Sequence, residues 1–261
     1  MTLGEITAGA FVETYIALVL IIWVRYFIVA GLFYWLLWGR PPEKVRARRL
    51  SPGRPARATV MHEIRMSLAS SAIYALPGAI VVEAFKAGGT AIYEDVASPA
   101  GWLWLPVSLA AYLFIHDTYF YWTHRLMHHR RLFRAMHLAH HRSQQPTPWA
   151  GFSFHPWEAI ISAWLLPLAA FFIPIHVWAV FFLLIFMTVV SVTNHAGWEI
   201  LPRRVTNGPV GDWAISASHH QVHHTDYAAN FGLYFRFWDR LMGTDRGLAP
   251  AADRGVARSP A

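Results

Sequence analysis

Cysteine is absent from the 261 residues. That excludes disulfides, thiolate metal sites and thiol nucleophiles, so a metal held by this chain must be held by nitrogen and oxygen. Charge is scarce, at 14% of residues against 55% hydrophobic, a balance too apolar for a water-soluble domain and one that places lipid around much of the surface. There is no glycine-rich dinucleotide fingerprint opening a βαβ unit, so the chain itself is not expected to bind a dinucleotide. The +7 formal charge is not gathered into a basic module of the kind that binds nucleic acid. It flanks apolar runs, as topology signals do, and no nucleic-acid partner is expected.

The apolar runs set the expected architecture, an all-α multi-pass membrane bundle. The first runs from about Phe11 to Trp38, with Arg25 inside it, and can cross once with a tilt or fold as a tight hairpin. It is too long for a secretory signal and should stay in the mature chain. An arginine at mid-bilayer costs on the order of 3 kcal/mol, so Arg25 is expected to face other helices, with Glu13 or Glu83 as partner. The next stretch carries Arg40, Lys44, Arg46, Arg48, Arg49, Arg54, Arg57 and Arg65 against Glu43 and Glu63, which marks it as cytoplasmic. Spans are expected over Met66–Phe85 and Trp102–Trp122, and a helical hairpin over Trp157–Thr193, interrupted by Pro167 and Pro174. Three units follow: N-terminal helices and basic loop over 1–100, a catalytic region over 101–247, and a disordered tail over 248–261. No internal repeat is visible.

Histidine is what the sequence has in excess. Of 15 histidines, 14 fall between His116 and His224. His124 and His128 are four apart and face the same way on a helix. His137, His140 and His141, and again His220, His223 and His224, have the spacing i, i+3, i+4, which fits on one helical face. A lone His195 follows the last apolar run. These nine are too many for one ion and suit two, because a tetrahedral site takes four ligands. Imidazole alone does not choose among zinc, copper, iron and nickel. Asp117, two turns before His124, could orient a ligand by accepting its second N–H. His155 and Asn194 are further site candidates. Glu158 sits in a helix's first turn, where a carboxylate favours the dipole. His62 and His176 read as core or interfacial side chains, and His116, His129 and His219 point off the metal faces.

The ordered series His124-Arg-Leu-Met-His128, His137-Leu-Ala-His140-His141, Pro146-Thr-Pro148 with His155-Pro-Trp-Glu158, Asn194-His195-Ala-Gly, and His220-Gln-Val-His223-His224 resembles the fatty acid hydroxylase superfamily, sterol desaturase branch. Asn230-Phe-Gly232 and Phe237-Trp-Asp239-Arg240-Leu-Met-Gly243-Thr244 resemble it too. The resemblance runs from about Tyr112 to Thr244. It implies a cytoplasmic histidine-rich helical cap around two iron ions, with O2 and two electrons used to hydroxylate or desaturate a membrane lipid. It carries iron-ligand roles to His124, His128, His137, His140, His141, His195, His220, His223 and His224. It implies a separate reductase and small electron carrier, and a site on the cytoplasmic face of the bacterial inner membrane or the endoplasmic reticulum. Glu199 stands where some fatty-acid-hydroxylating relatives have another histidine, which weakens a fatty-acyl assignment. Two other readings stay open: a zinc-dependent membrane hydrolase, although an HExxH-type general base is missing, and a metal transporter, which would line its spans with histidine.

Overall fold

The computed structural model describes residues 7–96 and 99–250. The segment 251–261, most of the expected tail, lies outside the described residues. The described residues are mostly helical, and Ile92–Tyr93 (β1) pairs in parallel with Ile175–His176 (β2).

Helix α1 (Ala8–Tyr34) opens on Thr7, whose hydroxyl accepts the Ala10 amide, and runs on through a π turn at Trp35–Gly39. Nothing interrupts it, so the first apolar run is one rod and not a hairpin. It exposes Val12, Ile16, Leu20, Val24 and Ile28, an apolar stripe at every fourth residue. A short α2 (Glu43–Arg46) leads to α3 (Arg57–Lys86), which packs antiparallel on α1. Its inner stripe is Glu63, Ser67, Ser71, Ala75, Ala79 and Glu83, all buried. Small residues at that spacing let two backbones approach closely, the way helices associate where lipid removes the hydrophobic drive. Among the described residues three helices are long and apolar enough to cross a membrane: Ala8–Gly39, Arg57–Lys86 and Val177–Asn194.

Two expected spans take a different form. Helix α4 (Pro99–Met127) does not qualify by composition, because its second half carries His116, Asp117, Thr118 and His124. The outward arm of the expected hairpin is two short helices, α7 (Pro156–Ala163) and α8 (Leu165–Ala169). Pro167 explains the break: its ring clashes with the carbonyl four residues back, at Ala163. Only the returning arm, α9 (Val177–Asn194), is a long helix. Nor does Arg25 meet either expected acid. Glu83 takes Lys86, at 2.6 Å, and the Thr14 hydroxyl, while Glu13 is exposed.

The histidine-bearing half consists of short elements that the long helices hold in place. They are α5 (Phe133–Met136), α6 (Leu138–His141), a 3-10 turn at Pro148–Phe152, α10 (Arg203–Thr206), α11 (Pro209–Trp213), α12 (Ala217–Thr225) and α13 (Phe237–Leu241). The 3-10 turn is wedged among α1, α3 and α9, where stray carbonyls are costly. Hydroxyls satisfy them: Tyr26 and Ser67 donate to the Trp149 carbonyl at 2.7 and 2.9 Å, Ser70 to Phe152 and Ser191 to Gly151. Glu63 accepts the Thr147 hydroxyl one step earlier. Buried polar residues on the long helices thus fix the segment that enters the site.

Candidate metal centre

All nine histidines of the three spaced groups and His195 converge, and they sort into two sets. His124, His128, His137, His141 and His223 present ring nitrogens within 4.8 Å of one another, and so do His140, His195, His220 and His224. Either set could hold a metal ion. Neighbours in sequence part company here: His140 and His141 go to different sets, as do His223 and His224. The α5–α6 boundary explains the first split. His137 has non-helical backbone (φ −128, ψ −16) between two four-residue helices, so the single-face argument for 137–141 does not apply. On α12 the i, i+4 pair His220 and His224 stays together and His223, one turn from His220, serves the other set.

Four outward nitrogens are fixed by carbonyl acceptors. His124 Nδ1 donates to the Phe231 carbonyl at 2.8 Å, His140 Nδ1 to Ser153 at 3.1 Å, His195 Nδ1 to Ser191 at 2.7 Å and His223 Nδ1 to Ala229 at 2.7 Å. Glu158 Oε2 lies 2.8 Å from His137 Nδ1. A carbonyl can only accept, so His124, His140, His195 and His223 each carry their proton on Nδ1 and leave a bare lone pair on Nε2. Yet His140 Nε2 and His195 Nε2 are 3.2 Å apart. Two lone pairs at that distance repel and make no hydrogen bond. Two nitrogens each roughly 2.1 Å from one ion, at right angles, would be about 3.0 Å apart. The donor set therefore fits a cation in the second group, and the first group brings His124 Nε2 and His137 Nε2 to a similar spacing, 2.9 Å.

Burial keeps these rings neutral. It lowers His128 to about 2, helped by His124, and His195 to about 4. His137, His140, His220, His223 and His224 are all held far below the usual histidine range by burial and by neighbouring imidazoles. Burial also pushes the Glu158 carboxyl well up. Glu158 and His137 are thus both driven toward their neutral forms, and a dication held by this set would supply charge that favours an ionised Glu158.

Several sequence candidates do something else. Asp117 reaches no imidazole; its Oδ1 accepts the amides of Leu233, Tyr234 and Phe235 at 3.2, 2.7 and 3.2 Å, because that loop crosses α4 at its face. His155 lies outside both sets and caps α7, its Nδ1 accepting the Trp157 amide at 3.3 Å. Asn194 donates to the Leu233 carbonyl at 3.3 Å. Glu199 accepts the Ser218 and Leu201 amides, at 3.0 Å each, and so anchors the start of α12. Glu158 is the residue the sequence underrated. The loop carbonyls are a second omission: Asp239 accepts the Phe231 and Gly232 amides at 2.8 and 2.9 Å and holds the turn whose carbonyl orients His124. The closing Asn-Phe-Gly and Phe-Trp-Asp-Arg motifs were its only signal.

Against the centre lies a cavity of about 310 Å³, lined almost wholly by apolar side chains of α1, α3, α4, α8 and α9. Phe120, Phe154 and Ser191 form part of its wall. The Phe120 ring is 4.9 Å from that of His124 and the Phe154 ring 5.3 Å from that of His140, while Ser191 carries the carbonyl that His195 donates to. One layer of side chains separates cavity and cage.

The fatty acid hydroxylase family model matches residues 109–244, slightly over half of the chain and the stretch holding the whole cage. The chain belongs to the fatty acid hydroxylase family. Within it the similarity is to the sterol desaturase branch: 32% identity to mouse (Mus musculus) lathosterol oxidase over 60% of this chain and 51% of that protein, and 33% to the Delta(7)-sterol 5(6)-desaturase erg3C of Aspergillus fumigatus over 64% and 56%. A second Delta(7)-sterol 5(6)-desaturase, ERG3B of Gibberella zeae, is 28% identical over 64% and 50%. The chain thus spans about half the length of these relatives. No solved structure matches.

Proposed function

We propose that this protein is a multi-pass membrane oxidoreductase that binds two iron ions and uses O2 to hydroxylate or desaturate a C–H bond of a lipid. The observation that carries the reading is the pair of imidazole sets with opposed bare nitrogens beside an apolar cavity. The curated relatives are named as sterol oxidases and desaturases, which supports a polycyclic lipid; the cavity's apolar lining suits sterol-like, carotenoid, sphingolipid or fatty acyl chains alike.

His124, His128, His137, His141 and His223 would hold one ion, and His140, His195, His220 and His224 the other. Bound iron supplies the electrons and Lewis acidity that activate O2 toward an unactivated C–H bond. The protein's own share is to orient and to exclude water. Glu158 and the carbonyls of Phe231, Ser153, Ser191 and Ala229 lock the ring orientations and raise ligand basicity. Phe120 and Phe154 keep bulk water from the cage while the cavity takes a lipid laterally from the bilayer. The basic stretches flanking the long helices support a cytoplasmic site by charge, at the inner membrane or the endoplasmic reticulum. Electrons from NAD(P)H would come through a separate reductase and carrier.

The test has two arms. Purified protein should contain two irons per chain, and lipids from cells with and without the gene should differ by one oxygen gained or two hydrogens lost, in air only. His140→Ala should remain folded, lose iron and abolish the product. Turnover without O2 or reductant would replace this reading with a hydrolase.

A further inference from the structure

The cavity wall contains one group its apolar surroundings do not explain. Arg25, in the middle of α1, lines the cavity with Leu18, Ile21, Ile22, Phe152 and Phe154. Its Nε is buried and has no hydrogen-bond partner, and the lining contains no aspartate or glutamate among the described residues. Both acids that charge balance would pair with it are elsewhere: Glu83 is held by Lys86 and Thr14, and Glu13 is exposed. Other polar groups of the wall are engaged, Tyr234 with His116 Nδ1 at 2.9 Å, Thr188 with the Leu184 carbonyl at 2.8 Å and Ser191 with Gly151.

A guanidinium at bilayer depth is costly, and its donors are satisfied only by acceptors. Lipid tails offer none. The adjoining Tyr26 packs against Trp149 and Phe152 and clusters with Val192, so α1 is locked in rotation and holds Arg25 toward the cavity. An oxygen-bearing lipid seated there would complete the hydrogen bonding and be set in one register against the Phe120–Phe154 wall. We propose that Arg25 is a specificity-determining residue that binds the acceptor oxygen of a polar lipid in this cavity and so selects which carbon reaches the cage. The substrate class is then a lipid with a carboxylate or hydroxyl group and not a pure hydrocarbon. The inference rests on the oxidoreductase reading only in calling the bound lipid a substrate.

The experiment measures binding of tritiated palmitate and tritiated cholesterol to full-length protein in nanodiscs, with hexadecane and cholestane as oxygen-free competitors and iron content read on the same samples. Wild type should bind at least one probe, with its oxygen-free counterpart competing poorly. Arg25→Leu should bind that probe roughly 10- to 100-fold more weakly, the loss expected for hydrogen bonds to a charged group, and should no longer discriminate against the hydrocarbon. Arg25→Lys should recover part of the difference; Arg25→Gln substitutes if the leucine variant does not fold. Palmitate binding assigns a carboxylate and cholesterol binding a hydroxyl. Equal binding by wild type and Arg25→Leu, or no binding of either probe by wild type, overturns the proposal. Arg25-dependent binding by iron-free protein would remove the oxidoreductase reading and leave this one standing; two irons without discrimination would do the reverse.

Discussion

The cage and the cavity it adjoins treat polar groups in opposite ways. In the cage, the outward nitrogens of His124, His140, His195 and His223 meet carbonyls, so the protein has fixed these rings before any ligand arrives. In the cavity Arg25, a permanent charge, has a buried Nε with no partner among the described residues. A preorganised metal site must beat the entropy of ordering many side chains, which it does with hydrogen bonds from its own backbone; a lipid site has to leave its specific contact open for the lipid. The contrast separates groups that hold structure from groups that wait for a ligand.

Acid should break the cage half first and by the largest margin. Unfolded histidines titrate near 6.5, whereas in the fold His195 is held at about 4 and His128 at about 2, with other cage rings also depressed. Below about pH 6.5 the unfolded chain therefore binds more protons than the folded one. Stability is complete above that pH and falls as pH drops toward the folded values, by about 1.4 kcal/mol per pH unit for each such histidine. Melting of metal-free protein from pH 7.5 to 5 should show a steep decline; a flat profile would mean that the rings are not buried and neutral. Next comes Glu158→Gln, expected to keep the fold and weaken iron binding by about 10- to 100-fold, measured by chelator competition. Iron affinity equal to wild type would make Glu158 a core residue only.

Asp117 sharpens the comparison from the cavity side. Asp117→Ala leaves three amides of 233–235 without their acceptor and should cost about 1 to 3 kcal/mol in denaturant unfolding, with iron content retained. Iron loss would show that this loop belongs to the cage. The smallest effect is expected at His155, where Ala should cost about 1 kcal/mol as a lost helix cap and Asn should restore it. Should His155→Asn lose iron, His155 is a ligand and the division into five and four is incomplete.

The site was more legible than the fold around it. Spacing collected eight of the nine imidazoles and the end of an apolar run gave His195, although at 137–141 the rings do not share one helical face. The local pattern expects one helix in the outgoing arm, where two short ones stand, and it offers Asp117 as an acceptor for a histidine because both lie on one side of α4. That side is occupied by amides arriving from 116 to 118 residues away, which no local pattern carries. Gly197, at φ +72, makes the same point: an added Cβ would come within 2.8 Å of Trp38, a contact between distant segments that only the folded chain creates.

The sequence by itself determined the ligand chemistry, nitrogen donors without sulfur, and the apolar length that calls for lipid, because both are properties of side chains and of runs along one chain. Tertiary structure decided which imidazole serves which set, that Glu158 and not Asp117 stands behind a ring, and that Arg25 faces a cavity instead of an acid. Those outcomes depend on where separate segments meet, and a meeting point is fixed by packing and by the hydrogen-bond needs of buried backbone.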